Sequence, residues 1–288
     1  MSEWCLGVIG GSGLSDMEAL EDAAWHSIDT PWGSPSDEIL TGRLHGVRIA
    51  FLPRHGRGHR IVPGDLNARA NIAALKQVGC TDLLSVSAVG SLSEELVPGS
   101  FVVVDQYIDR TVARPSSFFS TGIVAHVSLA DPVCARLSDL ALEAGRAEGI
   151  SIVRNGTYLA IEGPQFSTRA ESHLYRSWGC HVIGMTGMPE ARLAREAELP
   201  YGCVGMVTDY DCWRDDTADV QVTDVLAILR SNAKAAKGLV EALVKALPAH
   251  RTPSPIDATL DMAVVTPPEL WDPALKARLA SICPRKFG

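Results

Sequence analysis

No stretch of this chain reaches the run of roughly 20 apolar residues that a membrane-spanning helix needs. Zinc and redox motifs are missing as well. The seven cysteines (Cys5, Cys80, Cys134, Cys180, Cys203, Cys212 and Cys283) form no CxxC pair and are odd in number. Several sit inside apolar runs, so reduced thiols in a cytosolic protein are expected, not a disulfide framework or a zinc site. The eight histidines form no HExxH or spaced cluster, and no metal is expected. Positive charge is scarce: 26 Lys and Arg face 34 Asp and Glu, a net charge of −8. Such a surface repels nucleic acid and anionic membrane, so an anionic substrate needs a local site. The first residues, MSEWCLGVIGG, lack the charged head and apolar run of a signal peptide. No internal repeat or low-complexity linker occurs before Pro248.

What the chain does have is an alternation of strand and helix patterns. Strand-like apolar runs fall at Cys5 to Ile9, Val47 to Leu52, Leu83 to Val86, Phe101 to Val104, Thr157 to Ile161, His181 to Ile183 and Gly202 to Val207. Between them lie helical patterns. Asp65 is expected to cap a helix through Asn67 to Val78, Pro189 to open one over Glu190 to Glu198, and Thr223 to Leu247 to form the longest. This order predicts an α/β three-layer sandwich, a central mixed sheet flanked by helices. Residues 1–247 are expected to form the domain, and 248–288 a C-terminal extension packed loosely on it or on a neighbouring subunit.

Three strand ends carry candidate binding loops. The first is Gly10-Gly11-Ser12-Gly13, whose glycines let backbone N–H groups turn toward an anion. A dinucleotide fingerprint would need a third glycine where Asp16 stands, so a dehydrogenase is disfavoured. The second is Pro53-Arg54-His55-Gly56-Arg57-Gly58-His59-Arg60, a basic cluster in an acidic chain; the alternative is a solvated loop. The third, Ser85 to Ser91, is rich in small hydroxylated residues, as an ordinary turn also would be. Farther on, Asp209-Tyr210-Asp211-Cys212-Trp213 leaves an apolar run, and acids beside aromatics suggest a pocket that stacks on a flat ligand and pairs with its edge.

Taken in order, IGGSGL, DTPWGSPSD, PRHGRGH, NARANIAALK, SAVGSL, DQYIDRT, EGPQFSTRAES, MTGMPEARLA and VTDYDCW span Gly7 to Leu247. Together they resemble the methylthioadenosine phosphorylase branch of the trimeric purine nucleoside phosphorylases. The resemblance implies a purine nucleoside phosphorylase-like fold and phosphorolysis of 5′-methylthioadenosine, with inorganic phosphate as co-substrate and no cofactor. It implies Ser12, Arg54, His55, Ser87, Ala88 and Thr186 as phosphate ligands. Met185 and Phe166 would line the sugar, and Ser167, Asp209 and Asp211, with Phe166, the base. Val222, Val225 and His126, the last from the adjacent subunit of a homotrimer, would meet the 5′-substituent.

The chemistry asks for such residues. A purine leaving as an anion is a poor leaving group, and an acid at N7 remedies this by giving up a proton as the bond lengthens. Burial and the like charge of Asp211 are expected to raise the pKa of Asp209 enough for that task. A 6-amino group also wants carboxylate acceptors, which favours adenine over 6-oxopurines. The plain alternative for Asp209 is a cap or turn acid. Val222 offers no hydrogen bond to a 5′-hydroxyl, so a methylthio group is preferred, although helix packing alone explains it too. Gly184 and Gly187 point the other way: asparagine commonly precedes the methionine in methylthioadenosine enzymes, and these glycines look like the methylthioinosine and 6-oxopurine branch. Phosphorylases for those substrates, or for another 5′-substituted 5′-deoxyadenosine, are the enzymatic alternatives; a nucleotide-binding regulator is the non-enzymatic one. Asp209→Asn is expected to lose kcat/KM on adenine nucleosides and gain some on inosine-type ones; an unchanged base preference refutes the assignment.

Overall fold

The computed structural model describes residues 3–214 and 222–288, without the side chains of Ser12, 222–227 and 229. Nine strands alternate with helices: β1 (Cys5–Gly10), β2 (Leu20–His26), β3 (Ile39–Leu44), β4 (Val47–Pro53), α1 (Ala68–Gln77), β5 (Asp82–Ser91), β6 (Phe101–Asp109), α2 (Ala135–Ala147), β7 (Ile152–Ala160), α3 (Arg169–Ser177), β8 (Val182–Gly184), α4 (Gly187–Glu196), β9 (Tyr201–Asp209) and α5 (Val222–Ala246). Two short helices, α6 (Pro273–Leu279) and α7 (Pro284–Phe287), end the chain. Among the described residues no helix is long and apolar enough to cross a membrane.

The strand order is β2-β3-β4-β1-β5-β8-β7-β6-β9, and β9 also pairs with β5. Five strands therefore close into a ring, and the other four extend from it as an open sheet. Period-2 alternation sorts the apolar residues: Leu6 and Val8 of β1 join one core layer with α2 and α5, while Cys5 and Ile9 join the other with α1 and α4. A mixed sheet between two helical layers results, as the alternation of patterns predicts.

The differences from expectation are local. Strands β2 and β3 have no place in the apolar pattern, because β2 is an edge strand, LEDAAWH, with no buried residue. Asn67, not Asp65, caps α1: its side chain accepts from the Ala70 N–H at 3.1 Å, and Asp65 sits in the preceding turn. The third candidate loop is not a loop. Residues 85–91 continue β5, because β9 runs beside them as far as Asp209.

Nor does the C-terminal segment pack loosely. Leu260, Leu275, Leu279, Ile282 and Phe287 belong to the same core layer as α1 and α4. Glu198 accepts from Leu260 N–H and from Arg285, and Arg251 pairs with Asp257 and the buried Asp82. The segment also pairs with the strand-like stretch that carries His126: His126 N–H donates to Ala263 and Val265 N–H to Val124.

Glu196, near the end of α4, accepts from Phe118 N–H and from the Ser117 hydroxyl. Burial pushes it up to about 7, against those bonds and Arg192, from an ordinary value of 4.5. The folded protein thus keeps a proton that the unfolded chain releases. The stability this confers is complete below about pH 4.5 and is lost as pH rises through about 7. Glu196→Gln is expected to remove about 2–3 kcal/mol of the fall in urea unfolding free energy between about pH 5 and 8; identical pH slopes in variant and wild type would contradict this.

Candidate active site

Strands β1, β4, β5 and β9 run parallel and deliver their C-terminal ends to one side of the sheet. Strand β8 runs against β5, with Gly90 opposite Ile183, and so brings Met185 and Thr186 back beside β5. There the buried hydroxyls of Ser87 and Thr186 lie 3.0 Å apart. Next to Ser87, Ala88 is the one exposed residue of β5, so its methyl and backbone face open space in an otherwise buried strand.

Arg54 follows β4, and its N–H bonds the carbonyl of Gly10, which ties the second loop to the first. The side chain is 3% exposed and heavily engaged from within. Its Nε and Nη2 bind the two oxygens of Glu190 at 2.9 and 3.1 Å, Nη2 also meets Ser85 Oγ at 2.7 Å, and Nη1 donates to Val86 O. Tyr201 Oη donates to the same Glu190 at 2.9 Å. The expected fork toward phosphate is therefore mostly turned inward, leaving one Nη1 proton. Burial works against the Arg54 charge, and the Glu190 carboxylate outweighs it, so the guanidinium stays ionised.

His55 also differs from a simple cationic ligand. Its Nδ1 lies 2.8 Å from the Ile61 carbonyl, which can only accept, so Nδ1 carries the proton. Burial pushes its pKa down to about 4, with Arg54 and His59 adding to that. At neutral pH, Nε2 is thus a lone-pair acceptor. Arg57 in the same loop is spent on Asp37 and Glu38.

The other end of the site is acidic. A β-bulge falls where β9 leaves its register with β5: Val89 pairs with Val207, but Gly90 with Asp209. Thr208 is the extra residue, and the bulge re-aims the side chain after it. Asp209 Oδ2 accepts from Thr208 Oγ1 at 2.7 Å and Oδ1 from the Asp211 N–H at 2.8 Å. A Cβ at Gly90 would stand 3.0 Å from Asp209 Oδ1, so glycine there makes room for the carboxylate. Burial raises Asp209, against both hydrogen bonds. Asp211 is raised by burial, and the charge of Asp209 adds to that. Its Oδ2, along with Ser167 Oγ and Ser172 Oγ, is buried without a hydrogen-bond partner among the described residues. Three such atoms in one place suit the edge of a polar ring.

The aromatics do not offer a free stacking face. Trp213 is buried, donates its indole N–H to Ser91 O at 2.8 Å, and has the Arg176 guanidinium 3.4 Å from its ring centre. Tyr210 meets it edge-on. Phe166, by contrast, is 53% exposed. Met185 is half-buried against Gly163, and Arg114 holds the carbonyls of Met185 and Met188. His126 is exposed. The side chains of Ser12, Val222 and Val225 lie outside the described residues.

Glu190, Tyr201, Thr208 and Arg114 carry this geometry and lie outside the set of site residues expected from the sequence. Only Glu190 had a signal: an arginine directly after an apolar strand demands a buried acid.

Residues 6–245 match the family model described as the phosphorylase superfamily. An S-methyl-5′-thioadenosine phosphorylase of Cereibacter sphaeroides is 58% identical over 97% of each chain, and that of Rhodospirillum rubrum 54% over 98% of this chain and 97% of its own. Among solved structures, a methylthioadenosine phosphorylase from an antarctic soil metagenomic library superposes with a TM-score of 0.93 at 44% identity, over 99% of this chain and all of that one. The Schistosoma mansoni methylthioadenosine phosphorylase in complex with adenine superposes with a TM-score of 0.82 at 33% identity, over 97% and 98%.

Removing Glu190 leaves a buried guanidinium uncompensated. Glu190→Ala is expected to lower the free energy of urea unfolding by about 3–5 kcal/mol, and a loss below about 1 kcal/mol contradicts the role given to the pair.

The sheet order, the strand-end site and the agreement with these relatives along nearly the whole chain place it in the S-methyl-5′-thioadenosine phosphorylase family of the phosphorylase superfamily.

Proposed function

We propose that this chain catalyses the phosphorolysis of 5′-methylthioadenosine to adenine and 5-methylthioribose 1-phosphate, as a pentosyltransferase. The observation that carries the reading is a strand with two chemically opposite ends. Ser87, facing Thr186, and Gly90, facing Asp209, are three residues apart on β5, roughly 10 Å. That span suits an anion at one end and a purine at the other, with a sugar between.

Phosphate is the nucleophile, so the protein activates no side chain and needs no metal or organic cofactor. The hydroxyls of Ser87 and Thr186, the backbone at Ala88 and the remaining Arg54 proton position it. Neutral His55 accepts from the P–O–H of hydrogen phosphate. As a phosphate oxygen closes on C1′, the C1′–N9 bond breaks and its electron pair enters the purine. Asp209 then delivers its proton to N7, burial having raised its pKa for that purpose. Asp211 Oδ2 and Ser167 Oγ are the polar atoms left to read the ring's amino edge. Phe166 and Met185 cover base and sugar, and Val222 and Val225 the 5′-methylthio group.

The working form is a homotrimer in which His126 reaches the neighbouring site. In support, Val124, Met262, Val265 and Leu270 are exposed around the paired stretch that carries His126, an apolar patch suited to a second subunit. Seven free cysteines fit a reducing, cytoplasmic setting.

Adenine release from methylthioadenosine, followed by absorbance with and without phosphate, tests the reading. Release is expected only with phosphate, with kcat/KM falling in the order methylthioadenosine, adenosine, then methylthioinosine and inosine. Because the acid must hold its proton, activity is expected to decline on the alkaline side. Phosphate-independent release, or a preference for inosine, sinks it.

A further inference from the structure

Gly184 and Gly187 do not sit in backbone conformations that demand glycine. Space is the constraint. A Cβ on Gly184 would lie 2.0 Å from Tyr158 Oη and 2.6 Å from its Cζ; one on Gly187 would lie 2.6 Å from Tyr107 Cε1 and 3.3 Å from Tyr158. Tyr158, on β7, is fully buried and packs its ring on Tyr107 at 5.3 Å between centroids.

The phenol oxygen holds the backbone that leads into α4. Thr186 N–H and Gly187 N–H donate to Tyr158 Oη at 3.3 and 3.4 Å. Met188 is extended and Pro189 follows it, so these two N–H groups lie just before the regular turns of α4. Thr186 makes no side-chain cap, and its Oγ1 faces Ser87 Oγ at 3.0 Å. Buried N–H groups need an acceptor, and here a tyrosine from another strand supplies it.

We infer that Tyr158 is a positioning residue of the phosphate site: its phenol oxygen holds the backbone of Thr186 and Gly187, which keeps the Thr186 hydroxyl beside Ser87 for phosphate, and Gly184 and Gly187 exist to admit its ring. The glycines at 184 and 187, which in the sequence look like a 6-oxopurine signal, are on this account a packing requirement and leave base choice to Asp209 and Asp211. The inference rests on the phosphate-site reading. Phosphate dependence of the wild type tests that reading, and the variants below test the inference separately.

Tyr158→Phe keeps the ring and removes the acceptor. It is expected to raise the phosphate KM about tenfold while the nucleoside KM and the methylthioadenosine-to-methylthioinosine ratio stay within about twofold. In a Thr186→Val background, where there is no hydroxyl to aim, the same substitution is expected to change the phosphate KM by less than about twofold, the non-additivity of groups acting as a unit. Should Tyr158→Phe not fold, Gly184→Ala displaces the phenol and makes the same measurement, and adding Tyr158→Leu, which relieves the clash but supplies no acceptor, is expected to leave the phosphate KM raised. An unchanged phosphate KM in Tyr158→Phe, additive effects with Thr186→Val, or a base preference shifted by Gly184→Ala overturns the inference.

Discussion

Arg54 and Glu190 join five elements through one buried contact. Arg54 leaves β4, hydrogen-bonds the carbonyls of Ile9 on β1 and Val86 on β5, reaches Ser85 on β5, and pairs with Glu190 of α4, which in turn receives Tyr201 of β9. Two charges removed from water cost several kcal/mol each unless their hydrogen bonds are satisfied, and here nearly all are. Satisfying them requires the ends of β1, β4 and β5, the start of β9 and the first turn of α4 to be mutually placed. Those are the segments that carry Ser87, Ala88 and Thr186.

On that frame the two ends of the site differ in kind. The end at Ser87 and Thr186 is lined by hydroxyls, an arginine turned mostly inward and a neutral histidine, so it offers hydrogen bonds more than net charge. The end at Asp209 and Asp211 holds two carboxyls raised by burial. The length of β5 between Ser87 and Gly90 keeps the two sets of groups apart. The bulge at Thr208 supplies the remaining adjustment, aiming Asp209 where a regular strand would have turned it by one face.

The C-terminal segment is part of the same design. Its apolar residues complete the core layer over α1 and α4, and its backbone pairs with the stretch holding His126. Trp32, from the DTPWGSPSD stretch, donates to Ser281, and Arg278 covers its ring at 4.1 Å. Segments far apart in the chain are thereby held together at one flank of the site.

Sequence alone determined what depends on neighbours along the chain. The continuous apolar runs marked seven strands, because burial on both faces leaves a composition that can be read locally. The glycines after β1, Arg54 after β4, and Asp209 marked strand ends that the fold gathers on one side of the sheet, because each directly follows or ends an apolar run. Tertiary structure decided everything that needed a partner from elsewhere. It turned Arg54 inward to Glu190, set Arg176 on the ring of Trp213, made an exposed polar segment into the edge strand β2, and tied the Thr186 backbone to Tyr158. Spacing and hydropathy are properties of one segment, whereas a hydrogen bond or a steric exclusion belongs to two, and the second is known only once the chain has closed on itself.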